Sequence, residues 1–478
     1  MSAHAEQSET PPAPRERLNL AASAWPAYRT ASVAGIVGLL ASLLLGYVID
    51  PSFRRFFFTY LVSFCFFLTI ALGAIFFVLI QHLTRAGWSV SVRRVAEALG
   101  ATMPILLALS APILISVALG HGDLYRWAQG AQPIPHQLGA EKGSGAEKGA
   151  EKGSDPVAGT APRVLRTTGS DPFSAAPQLE EHPSAHGVQP PDELTLSKRS
   201  WLNGHFFIAR ILCYFVVWSL MGHWYWRQSW KQDISGSPSA AAAATMRMQT
   251  LSAPALIVLG LTLTFAVFDL VMSLDPHWYS TIFGVYLFAG SVVSGLATLI
   301  LILMLMQHWG YLQRSVNNEH YHDLGKWLFG FVFFWGYIAF SQYMLIWYAS
   351  IPEETGWLVR RGASTAHGGA NVWSGVAIAL LFGNLLIPFA GLLSRHVKRR
   401  KTALAFWAVW LLVFHWIDLY WLIVPELDGK AYFGLLDVVT FVGIGGIFLA
   451  AFVRLLARHS LRPRMDPRLV ESVAFENM

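Results

Sequence analysis

Ten apolar runs, several with an acid or a histidine inside them, constrain this chain more than any other feature. A helix needs about 20 residues to cross a bilayer. Runs of that order cover 31–49, 56–82, 95–119, 203–225, 251–274, 282–309, 324–351, 369–393, 402–424 and 434–454. Hydrocarbon solvates neither backbone nor charge, so helices are the fold open to such runs, and each polar group within one needs a reason. The expected class is an all-α integral membrane protein with about ten transmembrane helices. The composition agrees: 13% of residues are charged and 54% are hydrophobic, where a soluble domain carries about 25% charge. The second, sixth and seventh runs are long for a perpendicular crossing and are expected to tilt.

The net charge of +6 speaks to topology, not to nucleic acid. Arginine and lysine cluster on one side, among them Arg85, Arg93, Arg94, Arg227, Lys231, Arg395, Lys398, Arg399 and the tail after Arg454. The opposite loops hold Arg54, Arg55, Arg360, Arg361 and Lys430. Basic loops stay inside, so both termini are expected in the cytoplasm. The first 29 residues lack the basic-then-apolar pattern of a cleaved signal, so the first span itself should direct insertion. The expected organisation is a tail at 1–30, spans 1–3 in 31–119, an external loop at 120–200, spans 4–5 in 201–274, spans 6–9 in 282–424, span 10 in 434–454 and a tail at 455–478. The loop repeats Ala-Glu-Lys-Gly from 140, 146 and 150 amid Gly, Ser and Pro, and such a segment is expected to be disordered. Residues 227–250, with alanines at 240–244, read as a linker or a short surface helix.

An internal repeat is visible. Gln81-His82 closes span 2 and Gln307-His308 closes span 6, 226 residues on, and the same spacing takes Glu97 to Asp323. Asp269 in span 5 and Asp418 in span 9 sit in similar Phe/Ile-Asp-Leu contexts, 149 residues apart. Both steps advance by four spans, so the repeats are parallel: two four-helix bundles, spans 2–5 and 6–9, with spans 1 and 10 peripheral.

The polar residues within spans form two sets. In the outer half, Asp269, Asp418, His415 and Arg210 lie at similar depth and are expected to meet, with Gln342 and Tyr348 at that height and Glu353 and Glu354 beyond. His415 and Asp418 share one helical face. A desolvated carboxyl beside an arginine is poised between two opposed influences, which suits proton exchange; a static Arg210–Asp269 pair fixing helix packing fits as well. In the inner half lie His82, Glu97, His308, Glu319, His320, His322, Asp323 and Lys326, either as solvated span ends or as the mouth of a proton path. Ser291, Ser294, Thr298 and Asn384 are placed to carry waters between the sets. His205, His223 and His415 are not at matching depth, as bis-histidine haem requires. Cys65 and Cys213 both sit in apolar runs and form no metal or haem motif. The aromatic residues at span ends read as an interfacial belt, some of which would line a quinone cleft.

Three longer motifs carry a resemblance: 268–284 (FDLVMSLDPHWYSTIFG), 319–326 (EHYHDLGK) and 341–348 (SQYMLIWY) followed by 351–355 (IPEET). Together they resemble the NrfD-like (polysulfide-reductase-type) membrane subunit of bacterial alternative complex III, labelled quinol:cytochrome c oxidoreductase quinone-binding subunit 2. The resemblance is strong over 251–424 and weak elsewhere. It implies ten spans in two four-helix bundles in a bacterial inner membrane. It implies a respiratory complex that oxidises menaquinol and passes electrons through an iron–sulfur subunit and multihaem cytochrome c subunits towards a terminal oxidase. This subunit resembles the one without its own redox centre, beside a sister NrfD-like subunit better suited to the productive quinol site. Asp269, His322, Asp323, Gln342, His415 and Asp418 are the positions that the likeness singles out for a proton path. Relatives often carry histidine where this chain has Asn384, so a relay through span 8 would need water here.

Two rival readings stand beside it. One is the quinol-oxidising anchor of a molybdenum-type (polysulfide) reductase. The other is a stand-alone proton-coupled transporter, for which a pair of broken helices around a cavity is expected. Pro104, Pro112 and Pro388 are present, without an evident pair.

Overall fold

The computed structural model describes residues 16–20, 24–120, 124–128, 193–363, 371–428 and 430–476. Among these there is no strand, only an isolated bridge between Arg17 and Tyr311. Ten helices are long and apolar enough to cross a membrane: Ala24–Ile49, Arg54–Leu83, Val90–Leu119, Gly204–Asp233, Pro238–Leu274, Phe283–His308, Asn318–Ala349, Val372–Leu393, Lys401–Asp428 and Leu435–Leu456. They are spans 1 to 10 of an all-α, multi-pass membrane protein.

Most spans run past their apolar stretch. The largest difference falls at 227–250, expected as a linker or surface helix. There span 4 continues to Asp233 and span 5 already begins at Pro238. Alanine is the strongest helix former. Pro238 opens the helix, and the Ser237 hydroxyl accepts from the Ala240 amide at 3.1 Å. Hydropathy reports the bilayer and misses polar helix beyond it. The loop at 120–200 lies mostly outside the described residues. Its described ends are folded rather than loose: Tyr125 and Trp127 are buried and donate to the Leu270 and Ser273 carbonyls at 2.9 and 3.0 Å, and Glu193–Ser197 is a short helix.

Spans 2–5 pack as one bundle, with span 2 on spans 3 and 5 and span 4 on spans 3 and 5. Spans 6–9 repeat that pattern, span 6 on spans 7 and 9 and span 8 on spans 7 and 9. The bundles meet where span 2 packs on span 6, flanked by contacts of span 2 with span 9 and of span 5 with span 6. Exchanging 2 with 6 and 5 with 9 maps these contacts onto one another, as a parallel repeat requires. The apolar stretches of spans 2 and 6 are 94% and 72% buried, so this seam is the centre of the molecule.

Glycine makes the seam possible. A Cβ built on Gly73 would lie 1.9 Å from the Ser291 carbonyl oxygen, and one on Gly295 would lie 2.9 Å from the Gly73 carbonyl carbon. Lipid tails are as apolar as leucine, so helices in a membrane associate by such close backbone approach. Span 1 is attached to span 10 in the same way, with a Gly38 Cβ 2.7 Å from Gly443 Cα. It is only 22% buried and peripheral. Span 10 lies against span 2, where Asp437 takes Arg55 at 2.6 Å and Thr59 at 3.0 Å.

The first and last described segments, 16–20 and 457–476, lie on one face, here called the terminal face. Segments distant in sequence are laced together there. The Leu461 amide donates to the Leu18 carbonyl at 2.8 Å. Arg94, almost fully buried, donates to Asp233 at 2.5 Å and to the Ser460 and Arg462 carbonyls at 3.3 and 3.2 Å. Spans 3 and 8 are interrupted within their length, while spans 5 and 9 each end in a short separate turn, Met272–Leu274 and Pro425–Asp428. Span 3 breaks before Pro104 and Pro112, and span 8 carries a π-turn at Leu381–Leu386 before Pro388. Proline cannot donate to the carbonyl four residues back. The freed backbone is partly taken up by Trp410, whose indole N–H donates to the Gly383 carbonyl at 2.7 Å.

Candidate functional site

Span 9 places His415 and Asp418 on one face, turned into the seam between the bundles. Asp418 is fully buried. Its Oδ1 accepts from the Tyr286 hydroxyl of span 6 at 2.5 Å, and its Oδ2 has no hydrogen-bond partner. No ion pair reaches it among the described residues. His415 is 1% exposed, and its Nε2 is 2.8 Å from the Thr69 hydroxyl of span 2. Its ring fits over Gly290, where a Cβ would stand 3.0 Å from Cε1. Phe66 packs against the same ring at 5.8 Å between ring centres. Trp335 of span 7 packs on Tyr286 at 5.5 Å, and its indole N–H faces the Asp418 carboxyl and the Tyr286 hydroxyl without a hydrogen bond of normal geometry. Four spans and both bundles thus enclose a carboxyl, a phenol, an imidazole and an indole. The unpartnered atoms call for a proton or a water.

Asp269 and Arg210 do pair, but apart from that cluster. Arg210 holds Asp269 with two parallel bonds, Nε to Oδ2 at 2.9 Å and a terminal nitrogen to Oδ1 at 2.7 Å. The Trp201 indole and the Tyr214 hydroxyl add donors at 3.2 and 3.1 Å. The guanidinium also lies over the Trp201 and Phe206 rings at 4.1 and 4.2 Å. The expectation that Asp269, Arg210, His415 and Asp418 converge is therefore corrected. Asp269 pairs with span 4 inside the first bundle, whereas Asp418 bonds to span 6 at the seam. Depth along a helix was readable, but rotation about its axis was not.

The other expected residues separate likewise. Gln342 accepts a long bond from Ser280 at 3.4 Å, near the loop after span 5, and is not bonded to Asp418. Tyr348 is 84% exposed. The Glu353 side chain lies outside the described residues. At the start of span 7, Asp323 pairs with Lys326 at 2.5 Å, His322 is 3.9 Å from Glu319, and Glu319 pairs with Arg399 at 2.6 Å. His320 closes a capping box with Asn317. Glu97 instead takes Arg93 at 3.3 Å, inside the first bundle. His82 is buried against Tyr225 while its repeat mate His308 is exposed, so the inner set is not one mouth.

A lid closes the second bundle on the face opposite the termini. Pro352–Arg360 forms a short helix there. Its Trp357 stacks on Trp278 at 4.1 Å, and Arg361 lies over Trp357 at 3.7 Å. Arg361 also takes Glu426 at 2.9 Å and donates to the Leu422 carbonyl at 2.7 Å, one turn beyond Asp418. Burial pulls the Arg361 guanidinium down to about 10 while Glu426 pushes it back, so it stays a cation at neutral pH.

Sequence reasoning missed Tyr286, Thr69 and Trp335. One signal pointed to the first: Tyr286 follows Tyr60 at the repeat spacing. Yet Tyr60 donates to the Leu109 carbonyl at 2.7 Å, so repeat mates do different work. Among the described residues no group of three or more His, Cys, Asp or Glu is placed to hold a metal ion. Phe66, Gly290 and Trp335 pack around the Asp418 cluster, and the cleft at Glu97 has room for about one water. No step through quinone is assigned to these residues. No protein-family model matches the chain, and no curated protein matches it.

Proposed function

We propose that this chain is an integral subunit of a respiratory quinol:cytochrome c oxidoreductase of the alternative complex III kind, and that it carries protons rather than electrons. The observation behind this is Asp418: a fully buried carboxyl without a cation, bonded to a phenol and one turn from an imidazole, where the two bundles touch. An ionisable group at membrane depth is expensive unless it serves a purpose. Asp269 has a structural explanation in Arg210; Asp418 has none.

In this reading Asp418 receives a proton from the terminal face and releases it through the Tyr286 hydroxyl or the His415–Thr69 pair. Span 6 supplies the inward stripe, Ser291, Ser294 and Thr298, of which the Thr298 hydroxyl is buried and unpartnered. Arg361 and its lid bar the short way out. The motifs at 268–284, 319–326 and 341–355 support the family likeness. With it come the partners: a sister NrfD-like subunit where quinol is oxidised, an iron–sulfur subunit, multihaem cytochromes c and a terminal oxidase, in a bacterial inner membrane with both termini cytoplasmic. The transporter reading is weaker, because the spans broken within their length, 3 and 8, are not repeat mates, and the mates 5 and 9 are broken only at their ends.

The test is Asp418→Asn in the intact complex reconstituted in vesicles. A positioned proton-transfer group is worth about 10²–10⁴-fold. Proton translocation should fall at least about tenfold while subunit composition stays unchanged. Normal translocation by a correctly assembled variant overturns the assignment.

A further inference from the structure

We infer that Glu97 is a second proton-exchanging carboxyl, in the first bundle, and that Asp466 of the C-terminal segment governs it through Arg93. This stands apart from the Asp418 reading. Glu97 is 1% exposed on span 3. Its Oε1 accepts a long bond from Arg93 Nε at 3.3 Å, its Oε2 makes no hydrogen bond of normal geometry, and the Ser229 hydroxyl and Arg94 guanidinium also face the carboxyl. Glu97 lines a cleft with Ile75 and Val78 of span 2 and Met221 and Tyr225 of span 4. The free space, about 10 Å³, holds roughly one water. His82 lies beside the same tyrosine at 5.5 Å between ring centres, with both ring nitrogens buried and unpartnered. The neighbouring Gln81 amide is unpartnered at both ends.

Arg93 is divided between two carboxylates. Its terminal nitrogen donates to Asp466 Oδ2 at 2.8 Å, a shorter bond than the one it gives Glu97. Asp466 also accepts from the Arg468 amide at 3.0 Å. Ser472 holds the same segment in place, donating to the Trp88 carbonyl at 2.6 Å and accepting from the Ser91 amide at 3.0 Å. The other charges around Glu97 are committed elsewhere: Arg94 to Asp233 and Ser229, and His459 to a stack on Trp230 at 4.6 Å. Tyr225 donates to Met248 and bonds Ser252. While the segment is docked, Arg93 is shared and Glu97 can hold a proton facing the cleft water. When the segment leaves, Arg93 turns wholly to Glu97 and keeps it a carboxylate. The repeat mate Asp323 cannot do this, because it pairs with the half-exposed Lys326.

Dicyclohexylcarbodiimide, which reacts with protonated carboxyls in apolar surroundings, reads this directly. Native membranes holding the full chain are treated and the label is located by peptide mass spectrometry. Glu97 should be labelled in the parent and not in Glu97→Gln. Asp466→Asn should cut Glu97 labelling about tenfold, the low end of what a hydrogen bond to a charged group is worth, and Asp466→Glu should restore it. Ser472→Val, which loosens the segment without touching Asp466, should lower labelling too. An unlabelled Glu97 in the parent overturns the inference, as does unchanged labelling in both the Asp466→Asn and Ser472→Val proteins. Asp418 lies on a different peptide, so its fate is scored separately.

Discussion

Arg210→Leu is expected to remove most of the recoverable, folded protein. The variant leaves Asp269 fully buried, with only Trp201 and Tyr214 as side-chain donors. Breaking a buried pair by removing one partner costs about 3–5 kcal/mol, because the remaining charge is uncompensated. A stability of about 5–15 kcal/mol cannot absorb that without a large fall in the folded population. The cost comes from the stranded charge and not from losing an attractive contact. The double variant Arg210→Leu/Asp269→Leu should therefore recover much of the loss, since an apolar pair of similar bulk is often neutral at such a site. Thermal unfolding and yield of the detergent-solubilised protein distinguish the cases. A single variant with parental yield and melting temperature would show that the pair does not hold spans 4 and 5 together.

Gly73→Leu should separate the bundles. Overpacking a core usually costs about 1–3 kcal/mol, because neighbouring side chains shift to make room. Here the obstacle is backbone: the Ser291 carbonyl would lie 1.9 Å from the new Cβ, and Gly295 already touches Gly73 from the other helix. Spans 2 and 6 must move apart, which also pulls Thr69 from His415. Even Gly73→Ala should cost several degrees of melting temperature. Gly330→Ala and Gly375→Ala are matched controls, since nothing lies within 4 Å of a Cβ at either position. Their effect should stay within about 0.5 kcal/mol. Equal behaviour of Gly73→Ala and the controls would remove the seam from the account.

These two sites show which part of the molecule was legible beforehand. Ten crossings could be read because hydropathy over about 20 residues is a strong signal. The two-bundle architecture could be read because Gln-His pairs and Asp-Leu contexts recur at fixed spacings. Asp269 and Asp418 stood out as acids in apolar runs, and Arg210 proved to be a correct partner for the first. The second shares its face with His415 as expected, but it meets Tyr286 rather than Asp269 and Arg210. Spans 2 and 6 are apolar on every side, so no stripe betrays which face meets which neighbour. Tyr286, Thr69 and Trp335 look in sequence like ordinary residues of a membrane helix. The helical ends of spans 4 and 5 within 227–250 were read only as a linker or a short surface helix, because polar residues there mask a regular continuation of the two spans. Gly73 and Gly295 gave no warning, since nothing in a single sequence marks which glycine lies at a crossing.

Infrared difference spectroscopy of the intact complex on quinol addition interrogates Asp418 itself. If this carboxyl takes up and gives up a proton during turnover, its C=O stretching band appears in the difference spectrum. The band should shift in heavy water, vanish in Asp418→Asn and change frequency in Tyr286→Phe, which removes the hydroxyl bonded to Oδ1. A carboxyl region that is the same in the parent and in Asp418→Asn would contradict the account, because the group at the seam would then never change its protonation.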